Sequence, residues 1–156
     1  MATLNDLLNK QVELELFSAE LYLWASLQAD LMGWRRYGAD LRGHASEEHA
    51  HARMWIAHIA DRDGSLVRAT MPDRAQDRIA GVSDYVKLAE MIWEHEKLVT
   101  RTIASVAETA DREGDPACAI WARLQLAEQV EEEAGALDLL RTARICKSAA
   151  EFEQLI

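Results

Sequence analysis

The sequence predicts an all-α protein: a four-helix bundle run up-down-down-up, with a long connection between the second and third helices and a short C-terminal helix. Three observations carry that expectation. Only two prolines and seven glycines occur in 156 residues, against a body rich in Ala, Leu, Glu and Arg, which favours helix. Turn signals divide the chain into four long segments. Within them apolar residues recur seven apart, and a glutamate sits in the series: Leu8–Glu15–Tyr22, Leu41–Glu48–Trp55, Ala89–Glu96–Ile103 and, in the fourth segment, Leu124–Glu131.

The first helix is expected from about Leu4 to Met32, with Thr3 as N-cap, Asp6 completing a capping box and Gly33 ending it. The second runs from about Trp34 to Asp63 and stops at Gly64. Roughly 19 residues without a clear period follow, through Met71-Pro72 to Gly81. Ser83 is expected to cap the third helix, which reaches about Glu113 before Gly114. Asp115-Pro116, an N-cap residue followed by proline at the first helical position, opens the fourth, which extends to about Lys147. Residues 148–156 suit a short fifth helix. The short turns make each flanking pair an antiparallel hairpin. The long connection, extended at about 3.3 Å per residue, spans roughly 60 Å and so outreaches a 30-residue helix of roughly 45 Å. It therefore reads as a crossover along the bundle, and residues 1–156 as one domain.

The formal charge is −10, from 27 acidic and 17 basic residues, which argues against nucleic acid or an anionic membrane as the main partner. Cys118 and Cys146 share one predicted helix, roughly 40 Å apart along its axis, so they do not pair. With no disulfide framework, no visible signal peptide and no uncharged stretch of membrane-spanning length, a cytoplasmic protein is expected.

The glutamates carry the chemistry. An unpaired carboxylate inside a helix bundle costs several kcal/mol, so four inward ones imply cations that neutralise them. Glu15, Glu48, Glu96 and Glu131 all lie near their helix midpoints, and packed helices bring midpoints into one layer. His51, three residues after Glu48, shares its face, and Glu128 and Glu132 flank Glu131. Several carboxylates, one imidazole and no nearby thiolate suit iron or manganese rather than a structural zinc. Tyr22 lies two turns beyond Glu15, placed to hydrogen-bond a ligand or lend an electron. Glu13, Glu20, Glu94, Glu133 and Glu151 read as surface charge, and His58 and His95 as packing or surface residues. His44 is read either as a partner of a ligand or as a plain buried residue, and His49 as a helix-interface residue.

At these residues the chain resembles the bacterial non-haem ferritins over essentially its whole length. The segments that carry the likeness are Gln11-Val12-Glu13-Leu14-Glu15-Leu16-Phe17-Ser18-Ala19, the Glu-Glu-x-x-His run within His44–His51, Glu94-His95-Glu96-Lys97-Leu98-Val99-Thr100 and Glu128-Gln129-Val130-Glu131-Glu132-Glu133. The resemblance implies a ferritin-like fold and iron site A from Glu15, Glu48 and His51. Site B would share Glu48 and add Glu96, Glu132 and nearby Gln129. A third iron site would use Glu47, Glu128 and Glu131, with or without Glu132, and Tyr22 would stand beside the di-iron centre. The implied activity is ferroxidation, with Fe²⁺ oxidised by O₂ or hydrogen peroxide and the ferric mineral stored in a hollow 24-subunit homo-oligomer. Departures are visible. His49 stands where bacterioferritin has its haem methionine, so no haem is expected. One Glu-x-x-His motif instead of two disfavours bacterioferritin and rubrerythrin. Ala119 and Ala122 occupy positions where animal ferritins carry channel acids, which leaves the iron entry route open. A short fifth helix also leaves cage closure less fixed than the iron site. The alternative function is a di-iron or di-manganese oxidase or peroxidase that stores no metal and forms a smaller oligomer.

Overall fold

Reciprocal side-chain capping starts the first helix: Asp6 N–H donates to Thr3 Oγ1 at 3.2 Å, and Thr3 N–H to Asp6 Oδ2 at 2.9 Å. The computed structural model describes residues 2–62, 64–65 and 74–156. Among these residues the helices are α1 (Leu4–Leu31), α2 (Arg35–Asp61), α3 (Ala75–Ile79), α4 (Tyr85–Glu113), α5 (Pro116–Ile145) and α6 (Ala149–Leu155). Gly33 (φ +82°) turns α1 into α2, and Gly114 (φ +76°) closes α4 in the left-handed conformation that glycine adopts without strain. Asp115 then caps α5, accepting from Cys118 N–H at 3.0 Å, with Pro116 in the first turn as expected.

Two boundary expectations change. The cap of α4 is Asp84, not Ser83: its Oδ1 accepts from Val86 N–H at 2.8 Å and Lys87 N–H at 3.3 Å. An ionised carboxylate facing the positive end of a helix outcompetes the neighbouring hydroxyl. The crossover carries a helix of its own, α3, whose Ala75 and Ile79 are buried against α1. Five residues are too few to give a period. Met71-Pro72 and the expected helix end at Asp63 lie outside the described residues.

Trp34, the residue before α2, makes no side-chain cap of its own. The cap arrives from the far end of the chain. Glu153 accepts from Arg36 N–H at 2.8 Å and Tyr37 N–H at 2.9 Å, while Arg36 Nη1 donates back to the Glu153 carbonyl at 3.0 Å. Phe152, fully buried, seats α6 against Tyr37 and Tyr85.

The hairpins α1/α2 and α4/α5 join most closely through α1 and α4, while α2 and α5 meet through side chains such as His58 and Trp121. The core falls into two apolar clusters. One contains Phe17, Leu21, Tyr22, Leu41, Ile92 and Leu140, and the other Leu8, Val12, Trp55, Ile59, Ile103 and Ala122. Three of the predicted stripes turn inward, with Leu8, Glu15, Tyr22, Leu41, Glu48, Trp55, Ala89, Glu96 and Ile103 all buried. The fourth does not. Leu124 is 64% exposed and Glu131 is also exposed, and α5 instead buries Cys118, Ala119, Ala122, Gln129, Ala136 and Leu140. Helix α5 is apolar on two faces, and the stripe read from the sequence is the outer one. Ala119 and Ala122 are thus interior residues of the bundle.

Candidate metal centre

Between the two apolar clusters α1, α2, α4 and α5 each bring polar side chains to one layer. Glu15, Glu48, Glu96 and Gln129 are 1%, 3%, 1% and 3% exposed, so their polar atoms are out of reach of bulk water. Single ligand atoms of Glu15, Glu48 and His51 lie within 4.8 Å of one another, and so do those of Glu48, Glu96 and Glu132. Glu48 belongs to both groups. A third set, His51, Glu128 and Glu132, meets the same limit nearer the surface. His51 links the layers through its two ring nitrogens: Nδ1 is 3.2 Å from Glu48, and Nε2 is 3.7 Å from Glu128 and 3.9 Å from Glu132.

Hydrogen bonds fix one glutamate and leave others incomplete. Glu96 accepts from Tyr22 Oη at 2.6 Å on one oxygen and from Gln129 Nε2 at 2.7 Å on the other. Glu15 accepts from Gln11 Nε2 at 2.7 Å. Its second oxygen, like Oε2 of Glu132, is buried without a partner among the described residues. A cavity of about 10 Å³, near the lower limit for one water, is bounded by Glu15, His51, Gln125, Glu128, Gln129 and Glu132. Orphaned carboxylate oxygens around an ion-sized space, with an imidazole and no thiolate, fit a hard or borderline divalent cation.

The electrostatics agree. Burial first, and then the Glu48 charge, holds Glu15 well above the usual carboxylate range. Glu48 is pushed up to about 9, chiefly by burial and next by Glu96, and Glu132 to about 7 by burial. Glu96 is raised by burial, offset in part by the Tyr22 and Gln129 bonds. Tyr22 is itself raised by burial and by Glu96, which keeps it a hydrogen-bond donor. Without a cation this cluster retains protons at neutral pH; a cation binds by displacing them.

Not every expected residue joins the layer. Glu47 and Glu131, expected with Glu128 at a third site, are exposed and belong to none of the close sets. They line, with Asp40, His44 and Glu128, a cavity of about 530 Å³ in the seam between α2 and α5. Its wall includes Tyr22, His51 and Glu132, so the seam leads to the buried layer. His44 stacks on Tyr22 (centroids 5.1 Å apart) with Nδ1 3.1 Å from Glu47. His49 is exposed, while His58 stacks on Trp121 and lies 3.5 Å from the buried Cys118 sulfur. His95 is buried against Ser18 Oγ at 2.7 Å. Sequence reasoning gave no role to Gln11 or Gln125. Each lies four residues before a site residue, on the same helix face, and that spacing was the available signal.

The comparisons with known proteins converge. The ferritin-like domain family profile matches residues 5–145. A probable bacterial non-heme ferritin-like protein of Haemophilus influenzae is 32% identical over 130 residues, spanning 81% of this chain and 74% of its own. An open pore ferritin from the archaeon Archaeoglobus fulgidus superposes with a TM-score of 0.86 at 30% identity, over 97% of this chain and 92% of that one. A PmFTN variant soaked in iron gives a TM-score of 0.90 at 25% identity, over 97% and 95% of the two chains. Among the described residues no helix is long and apolar enough to cross a membrane.

Proposed function

The chain belongs to the ferritin-like domain family, and on that premise we propose that it is an iron-storage ferritin with ferroxidase activity. One observation supports the reading: Glu48 is common to two close ligand sets, Glu15 with His51 and Glu96 with Glu132, so one side chain would bridge a pair of metals held there. Fe²⁺ is the substrate. Site A is Glu15, Glu48 and His51; site B is Glu48, Glu96 and Glu132, with Gln129 and Tyr22 holding Glu96 in place. The seam acids Glu47, Glu128 and Glu131 offer a third, more exposed iron position.

Two Fe²⁺ supply two electrons, the number that reduces O₂ with two protons to hydrogen peroxide, or peroxide with two protons to water. The chain's own contribution is charge and proton management. Binding expels protons from Glu15, Glu48 and Glu132, and the carboxylates so freed favour Fe³⁺ over Fe²⁺ through their greater negative charge. Low exposure excludes bulk water from the pair. The ferric product would leave along the acidic seam and mineralise inside a homo-oligomeric shell, read here as the 24-subunit cage, in the cytoplasm. Iron soaked into the similar PmFTN variant supports the choice of metal.

Stopped-flow oxidation of Fe²⁺ in air tests the assignment. Glu48→Ala removes the bridge and is expected to slow the fast phase by roughly 100-fold or more, since loss of outer-shell partners alone costs about 10–100-fold. An unchanged rate in that variant would overturn the di-iron reading.

A further inference from the structure

Two buried glutamines serve the centre in parallel ways. Gln129 on α5 donates across the bundle to Glu96, and Gln11 on α1 donates one turn along its own helix to Glu15, each bond 2.7 Å long. Of the two, only Gln129 is placed beside the iron ligands by the resemblance. We propose that Gln11 is a positioning residue: by holding Oε1 of Glu15, it commits Oε2 as the oxygen presented to a divalent cation beside Glu48 and His51. The proposal rests on the metal reading of the centre given above.

The geometry supports it at both ends of the bond. Gln11 is fully buried and its amide reaches no solvent. The N–H side of the amide faces Glu15, with Nε2 2.7 Å from Oε1, the orientation that suits a carboxylate whose proton a cation has displaced. Glu15 Oε2 is left without a partner, and a ligand atom of Glu15 lies within 4.8 Å of Glu48 and His51. A carboxylate free at both oxygens can chelate, bridge or swing between cations. One whose Oε1 already accepts a hydrogen bond offers Oε2, which accepts none, as the more available donor, leaving the remaining positions on the cation to Glu48, His51 and solvent.

Gln11 also carries a cost that a packing residue would not. Its own Oε1 is buried with no partner among the described residues. Leucine, which stands at Leu8 and Leu14 on either side, would fill the space without an orphaned acceptor. A purely structural role therefore favours an apolar side chain here, and the amide is explained by what its N–H does.

The test uses Co²⁺ alone as probe, titrated into the assembled protein and followed by its visible d–d spectrum and by calorimetry. Gln11→Leu removes both polar atoms, and Gln11→Met does so with an unbranched chain nearer in shape should Leu not fold. Glu15→Ala provides the reference for loss of the Glu15-side ion. The expected result is a folded, assembled variant with a melting temperature equal to or above wild type. It binds the Glu15-side Co²⁺ about 10–100-fold more weakly, with an altered spectrum, and the Glu96-side ion unchanged. A variant with wild-type affinity and spectrum overturns the proposal, whether or not its melting temperature falls. Absence of Co²⁺ binding in the wild type, with no response to Glu15→Ala, overturns the metal reading itself and the proposal with it.

Discussion

Glu48 and Glu132 titrate far from where unfolded carboxylates do, at about 9 and about 7, because folding takes them out of water and sets them near other acids. The folded state binds these protons more tightly than the unfolded chain. Their stabilising contribution is therefore full below the unfolded value near 4.5 and is lost as pH rises through 7 and then 9. The metal-free protein is expected to melt at progressively lower temperature between pH 5 and pH 9, and the Co²⁺-loaded protein to lose much less over that range. Thermal scans at stepped pH, with and without metal, check this; a flat metal-free profile would contradict it. Calorimetry in buffers of different ionisation enthalpy should also show protons released on binding. At this scale the burial of Glu15, Glu48 and Glu96 was legible because a charge in an apolar stripe breaks a pattern, and His51 was placed beside them by lying three residues after Glu48. Gln11 and Gln125 were not, since an uncharged amide in a helix reads as neither core nor site.

The helices were legible where local chemistry decides them. Thr3 with Asp6, Gly114 and Asp115-Pro116 satisfy or end helix backbones by themselves, and each stands where expected. The start of α2 was not legible in that way, because its cap comes from Glu153, 117 residues beyond Arg36. Glu153→Ala leaves two backbone N–H groups of α2 without acceptors and frees α6 from its anchor. A loss of about 1–2 kcal/mol is expected, from the usual worth of a helix cap. Denaturant unfolding of the metal-free protein measures it, and Glu153→Gln should recover part of the loss. Gly38 sets the approach of α1 and α2 more tightly still. A Cβ added there would stand 2.7 Å from Asp30 Oδ1 and 3.1 Å from the Ser26 carbonyl, so Gly38→Val is expected to cost about 1–3 kcal/mol through overpacking. Helix α5 shows the limit of periodicity: it has apolar residues on two faces, and spacing alone does not say which one meets the core.

For the whole molecule, the faces that the chain leaves uncovered are as informative as its core. Leu23, Leu27 and Leu31 form an exposed row on α1, and Ile120 and Leu124 another on α5. Rows of this kind on an otherwise acidic chain suit contacts between copies in a homo-oligomer. Leu27→Glu combined with Leu31→Glu is expected to shift the assembly toward smaller species while leaving the helical signal intact, as light scattering and circular dichroism would show. The bundle and its up-down-down-up path followed from helix lengths and one long connection. The exposed apolar rows did not, because outward rows resemble inward ones until a structure assigns their faces. Storage finally depends on a closed particle retaining what the centre oxidises. The most direct measurement is size-exclusion chromatography with light scattering before and after aerobic Fe²⁺ loading, with iron counted in the eluted peak. The proposed storage function requires a particle near 24 subunits carrying hundreds of iron atoms. A small oligomer that keeps only two or three metals per chain would contradict it, and would point instead to an oxidase or peroxidase that stores no metal.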